Sequence, residues 1–326
     1  MQTRELGKSG LRCGRIGLGC ATFGREIGEE QAFQIMDYAV EQGITLFDTA
    51  EAYGGGQARA YRKNQFGVAD EREVSGEMHS SEKIIGRWLR SRGARDQVVL
   101  LTKVTTDFRP EHVRAALAAS LERLQTDVID LYLYHQFDAK TPLAEAADAA
   151  AEGVSLGLVR AAGCSNYPAE QLAAALQESR ARGLARFEVI QSNYNLAVRD
   201  IESALLPLTR REAVGVVSYS PLGAGFLTGK YTSDRGAFPK GTRFDVIPGH
   251  ADVYFGERNF RVVENLRALA DRTGIPAVRL AMAWVFQNEG IDVVLVGART
   301  ISHLDNAMVA LETALDLGWV TEMNSW

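Results

Sequence analysis

Eight short apolar runs, β-branched or leucine-rich, recur along the chain with helical patterns between them. They fall at 16–18, 45–47, 98–101, 128–133, 159–162, 187–190, 214–218 and 293–296. The intervening stretches carry apolar residues three and four apart, as in Val113, Leu117, Leu121 and Leu124, or Leu304, Met308, Leu311 and Leu315. That spacing lines one face of a helix, whereas a short apolar run bounded by polar residues suits a buried strand. No linker and no low-complexity tract interrupts the rhythm over 326 residues.

Strand–helix alternation repeated eight times predicts an α/β fold: a single (β/α)8 TIM barrel over residues 1–326, with a β-hairpin turning at Lys8-Ser9-Gly10 ahead of it. A doubly wound open sheet is the competing arrangement. Pro110 and Pro168 sit where a first helical turn tolerates proline, and Ser302 with Asp305 reads as a capping box at the last helix. Two connections are long, one from Asp48 to about Ser80 and one from Ser220 to about Arg258. In a barrel both crown the C-terminal mouth, where sites are built. The first carries Arg59, Arg62 and Lys63 among Tyr61 and Phe66. It reads as a solvated lid or a contact between copies; the sharper alternative is a lid that recognises an anionic substrate.

Composition narrows the function. The net charge of −5 is spread along the chain without a dense basic face, which argues against nucleic acid as a partner. No run of apolar residues is long enough to span a membrane, and the opening "MQTRELGKSG" lacks the apolar core of a signal peptide. Cys13, Cys20 and Cys164 are few, odd in number and far apart, and the five histidines lack ligand spacing, so neither a disulfide framework nor a metal site is expected. A cytoplasmic location follows as the expectation; self-association into a homo-oligomer stays open.

The ends of the apolar runs carry polar residues: Asp48, Lys103, His135, Ser165-Asn166, Gln191 and Tyr219, with Tyr53 just beyond Asp48. Singly, Asp48 is equally a helix cap, Lys103 a solvated loop lysine and His135 a core histidine. A barrel aims all six strand ends at one mouth, which favours a shared pocket. A tyrosine near its ordinary pKa of about 10 is a poor proton donor at neutrality. An adjacent ammonium lowers that pKa, and a carboxylate keeps the ammonium charged. Asp48, Lys103 and Tyr53 would form such a relay, with His135 polarising a carbonyl oxygen.

In order and spacing, "LFDTAEAYG", "LLTKV", "LYLYHQFD", "GCSNY", "IQSNYN" and "YSPLGAGFLTGKY" resemble the motifs of the aldo-keto reductases, over about Leu6 to Leu315. The resemblance implies a carbonyl oxidoreductase that binds NADPH, or alternatively NADH, at the barrel mouth and acts on a small-molecule aldehyde or ketone. It implies Tyr53 as general acid, Lys103 and Asp48 as its tuners, and His135 as the group orienting the carbonyl. It implies Ser165, Asn166 and Gln191 at the nicotinamide carboxamide and Tyr219 against the ring. Ser220, Leu222, Gly225, Lys230 and Arg243 would meet the pyrophosphate. Gly297, Arg299 and His303 would lie around the adenosine phosphate, where Arg299 suits a 2′-phosphate. Some members of the superfamily are regulatory channel subunits, which is the alternative reading.

The chain departs from the family pattern in three places. Asn306 and Ala307 stand where Glu-Asn is common, Gln136 follows the catalytic histidine where many members have tryptophan, and the step from Tyr53 to "SSEKIIG" is lengthened. Phe23, Phe137, Tyr194 and Phe226 are candidates for an aromatic pocket wall. "GLGCATFG" lacks the third glycine of a dinucleotide fingerprint, and "GAGFLTGKY" places Ala224 and Tyr231 where a phosphate loop needs Gly and Ser/Thr.

Overall fold

The computed structural model describes residues 3–234 and 238–326. Strands β1 (Thr3–Glu5) and β2 (Arg12–Gly14) form the antiparallel hairpin expected around Lys8-Ser9-Gly10. Eight parallel strands follow: β3 (Ile16–Gly19), β4 (Leu46–Asp48), β5 (Val99–Val104), β6 (Ile129–Tyr134), β7 (Val159–Ser165), β8 (Phe187–Asn193), β9 (Gly215–Tyr219) and β10 (Val293–Gly297). They pair in chain order, and β10 closes on β3 with Val294 opposite Ile16 and Gly297 opposite Gly19. A doubly wound sheet would leave two edge strands; closure removes them and makes the fold a (β/α)8 barrel. Each strand reaches one to three residues past its apolar run toward the mouth.

Strand alternation builds two cores. Leu46, Leu101, Leu131, Leu133, Val189, Val217, Val293 and Leu295 fill the barrel interior, and Leu6, Leu11 and Cys13 of the hairpin join them from below. Residues of the opposite parity, such as Phe47, Leu100, Tyr132, Tyr134, Ile190 and Val294, face the helical sheath. Helix Pro110–Leu124 shows how the sheath attaches. Pro110 occupies its first turn, and Val113, Leu117 and Leu124 are buried along one side. Each such side chain contributes about 1.5–3 kcal/mol by leaving water.

Two local expectations fail. Ser302 lies inside helix Ile301–Glu312 rather than capping it; Thr300 is the cap residue and Ser302 Oγ meets Thr300 Oγ1 at 2.8 Å. Asp305 is engaged by the Tyr38 hydroxyl instead.

The segment after Asp48 is also not simply a loop. It contains a helix, Gly55–Phe66, whose buried residues are Gly55, Gly56, Ala58 and Arg62. With no large apolar residue on that face, hydrophobic periodicity could not reveal it. Gly55 packs so closely that a Cβ there would lie 1.8 Å from the Ser75 carbonyl oxygen and 2.5 Å from that of Gly24. Arg62 is 1% exposed. Its guanidinium pairs with Glu73, meets Asp70 Oδ1 at 3.1 Å, and donates to the carbonyls of Asp70 (3.1 Å) and Val246 (3.0 Å). Arg72 reaches the same neighbourhood, its Nη1 3.0 Å from Asp245 Oδ1. The first insertion is thereby fastened to the second, which holds the short helices Arg243–Val246 and Ala251–Tyr254. Arg62 is neither solvated nor available to an anionic substrate.

Candidate active site

The expected strand-end residues sit one step above the inner core. Asp48 follows Leu46 by two residues, Lys103 follows Leu101, His135 follows Leu133, Gln191 follows Val189, Tyr219 follows Val217 and Gly297 follows Leu295. Since side chains on a strand alternate, each points to the same side as the core residue beneath it, but at the mouth. The barrel therefore collects them as a top layer.

Lys103 is fully buried, which rules out the solvated-loop reading. Its Nζ lies 2.6 Å from Asp48 Oδ1, donates to the Thr49 carbonyl at 2.7 Å, and reaches the Tyr53 hydroxyl at 3.4 Å. Asp48 caps no helix; its Oδ1 also accepts from Gln191 Nε2 at 2.7 Å. The Tyr53 hydroxyl is 3.4 Å from His135 Nε2, with the rings edge to face. Lys103 of β5 and His135 just past β6 thus converge on the phenol in the turn after β4, with Asp48 of β4 and Gln191 of β8 behind the lysine.

Electrostatics partly agree with expectation. Burial works against the Lys103 charge, but Asp48 and Tyr53 outweigh it and hold the ammonium above its usual range. Burial lowers His135 to about 3, with Lys103 adding to the effect, so the imidazole is neutral. Tyr53 runs opposite to the sequence expectation. Burial raises its phenol, and the pull of Lys103 does not offset that rise. A desolvated phenolate costs more than one ammonium, held 3.4 Å away and shared with Asp48, returns.

Ser165, Asn166, Gln191 and Tyr219 form one connected rim. Asn166, in a left-handed conformation (φ 59°), donates to the His135 carbonyl at 3.0 Å and to Ser165 Oγ at 3.1 Å. The Tyr219 hydroxyl donates to Asn166 Oδ1 at 2.8 Å. Ser220 is also left-handed (φ 56°), and its carbonyl accepts from Asn195 Nδ2 at 3.0 Å.

Farther round the mouth lie the residues expected at the phosphates. Leu222 opens a turn, Gly223–Thr228, in which Gly225 has φ 90°. A Cβ on Gly225 would sit 3.1 Å from Lys230 Nζ, a contact the flexible lysine can relieve, so it is the φ of 90° that calls for glycine. Arg299 donates to the Gly241 carbonyl at 2.9 Å, and its amide donates to His303 Nδ1 at 3.1 Å. Burial and the Arg299 charge lower Lys230, and burial, Arg299 and Lys230 lower His303. Among the described residues neither Lys230 nor Arg299 has an ion-pair partner. A left-handed backbone turn beside two cations that form no ion pair among the described residues fits the phosphates of a dinucleotide. Arg243 instead pairs with Glu26, its Nε 3.3 Å from Oε1, and its charge interacts with Tyr53.

The structure changes the aromatic wall. Tyr194 is buried against Trp284, with its hydroxyl on Glu202, and Phe226 is buried among Tyr254, Phe255 and Phe260; both are core. Phe23 is fully buried, while Phe137 packs against Tyr167 beside a cavity of about 240 Å³. Sequence reasoning missed Arg25 and Glu26, a buried pair in the loop after β3 whose arginine charge acts on the Tyr53 phenol. The signal was a charged pair directly after "GCATFG".

The barrel mouth thus gathers an acid–lysine–tyrosine–histidine set. A sequence model of the Aldo/keto reductase family matches residues 15–325, and the chain belongs to that family. It is 32% identical to "Uncharacterized oxidoreductase YrpG" of Bacillus subtilis (strain 168), over 97% of this chain and 93% of that protein. It is also 32% identical to "Aldo-keto reductase YhdN" of the same organism, over 94% and 87%. It is 29% identical to "Probable voltage-gated potassium channel subunit beta" of Arabidopsis thaliana, over 96% and 92%. Among the described residues no helix is long and apolar enough to cross a membrane.

Proposed function

We propose that this chain, read as one barrel domain over residues 1–326, is a cytoplasmic NADPH-dependent reductase of aldehydes or ketones, with NADH as the alternative cofactor. The supporting observation is the Tyr53 hydroxyl, 3.4 Å from both Lys103 Nζ and His135 Nε2. A carbonyl oxygen received there meets two donors. Tyr53 gives the proton from its hydroxyl, and Lys103, kept charged by Asp48, stabilises the phenolate left behind. Neutral His135 donates from Nε2 and orients the carbonyl without competing as an acid. The bound nicotinamide supplies the hydride; the protein supplies orientation, the proton and exclusion of water.

In this reading Ser165, Asn166 and Gln191 hold the carboxamide and Tyr219 supports the ring. Ser220, Leu222, Gly225, Lys230 and Arg243 hold the diphosphate. Gly297, Arg299 and His303 hold the adenosine phosphate, where the planar fork of Arg299 favours a 2′-phosphate. Arg243, paired to Glu26, joins only if it turns away from that carboxylate. The test is a panel of aldehydes and ketones followed by NADPH consumption and repeated with NADH. Consumption with NADPH ahead of NADH is expected; none with any carbonyl sinks the reading. The relative named as a channel subunit supports a second reading, a cofactor-binding regulatory protein. Co-purification with a channel together with negligible carbonyl reduction would favour it.

A further inference from the structure

Resting on the reductase reading and deepening it, we propose that the substrate carries an acidic group, a carboxylate or a phosphate, which Arg25 receives beside Tyr53. The side chain of Arg25 is 5% exposed, and its Nε is held by Glu26 Oε2 at 2.7 Å. Its Nη2 is buried and has no hydrogen-bond partner among the described residues. A guanidinium offers only donors, so the missing partner is an oxygen acceptor, and an anionic one suits it best.

The charge around it points the same way. Arg25 and Arg243 share the single carboxylate of Glu26. His250 adds no negative charge there, and burial with Arg243 and Arg25 nearby keeps its imidazole neutral. The loop carrying Arg25 abuts the segment carrying Tyr53. Ser80 Oγ accepts from the Gly55 amide at 3.2 Å and donates to the Phe23 carbonyl at 3.1 Å, which ties the two together. The Arg25 charge also acts on the Tyr53 phenol. An acidic group at Arg25 and a carbonyl at Tyr53 therefore belong to one compact ligand.

Arg62, Lys230 and Arg299 do not compete for that acceptor. Arg62 is engaged by Asp70 and Glu73 of its own insertion and by the Val246 carbonyl of the second. Lys230 and Arg299 lie together on the phosphate side and leave the dinucleotide its own counter-charge. Because Nη2 is buried, an acceptor reaches it only when a neighbouring contact opens, and the Glu26–Arg243 pair at 3.3 Å is next to it in the same charge cluster.

The test compares 4-oxobutanoate with butanal, two aldehydes of equal chain length that differ in the carboxylate, using wild type, Arg25→Leu and Arg25→Lys. The wild type is expected to favour 4-oxobutanoate in kcat/KM by roughly tenfold or more. In Arg25→Leu that ratio falls about tenfold or more, chiefly through KM, and Arg25→Lys recovers part of it. NADPH affinity, read by fluorescence titration, separates the substrate from the cofactor as the source of the anion. A wild type without preference, equal losses for both aldehydes, or a weakened NADPH affinity with an unchanged ratio overturns the proposal. If no carbonyl is reduced, the reductase reading falls instead. The subsite is then judged by succinate titrated calorimetrically into wild type and Arg25→Leu: weaker binding in the variant supports it, and equal or absent binding overturns it.

Discussion

Lys103 and Arg62 are both cations withdrawn from water, and they differ in how completely they are satisfied. Arg62 meets two carboxylates and two backbone carbonyls, so its donors are matched by fixed acceptors. Lys103 has one carboxylate, one carbonyl and a long 3.4 Å contact to the Tyr53 hydroxyl. A saturated cation holds a segment still. A cation with one long contact has an interaction in reserve, which strengthens when the phenol gives up its proton. Catalysis needs that second kind, since only interactions that grow in the transition state accelerate a step.

The largest expected effect tests the reserve directly. Tyr53→Phe should lower kcat about a hundredfold or more while NADPH still binds, because a positioned acid contributes on that scale. Turnover near the wild-type value would mean that the contact with Lys103 has no catalytic part. Next comes the well-matched partner. Arg62→Leu leaves buried Glu73 with only the longer 3.6 Å contact to Arg59 Nε and should cost about 3 kcal/mol in denaturant unfolding. The double change Arg62→Leu with Glu73→Leu should recover much of that loss. A single variant as stable as wild type would show that Arg62 fastens nothing.

A further effect concerns pH. His135 is lowered from 6.5 to about 3 by burial and Lys103, so below 6.5 the unfolded chain binds a proton the folded one refuses. Stability should therefore fall progressively as the pH drops from 6.5 toward 3, and His135→Gln should flatten part of that slope. The raised Tyr53 keeps its proton through neutrality, so kcat for reduction should show no inflection near 6.5 and decline only on the alkaline side. An inflection near 6.5 that disappears in His135→Gln would contradict the neutral imidazole. The smallest effect is at Ser302, where Ser302→Ala should change unfolding stability by less than about 0.5 kcal/mol, since no cap is lost. A loss above about 1 kcal/mol would restore the capping box.

The strands and the polar layer were legible because both follow from one periodicity. Leu46 with Asp48, or Leu101 with Lys103, can be read off the chain as one face with a change of character at its end. What hides from the sequence are contacts that carry no pattern. Helix Gly55–Phe66 buries glycine, alanine and arginine, so it offers no apolar stripe. Arg25 becomes noticeable only when folding buries Nη2 without a partner. The direction at Tyr53 was misjudged because the adjacent lysine is visible in sequence, whereas the weight of desolvation depends on everything packed around the ring.

The two-residue step between core and mouth has an evolutionary consequence. The hydrocarbon layer and the polar layer above it occupy neighbouring positions of the same strands, yet they answer to different selection. A substitution at Leu101 or Leu133 tests whether the barrel survives; one at Lys103 or His135 tests what the barrel does. A lineage can exchange the upper deck for another chemistry while leaving its foundation untouched, and can drift in the foundation without altering the reaction.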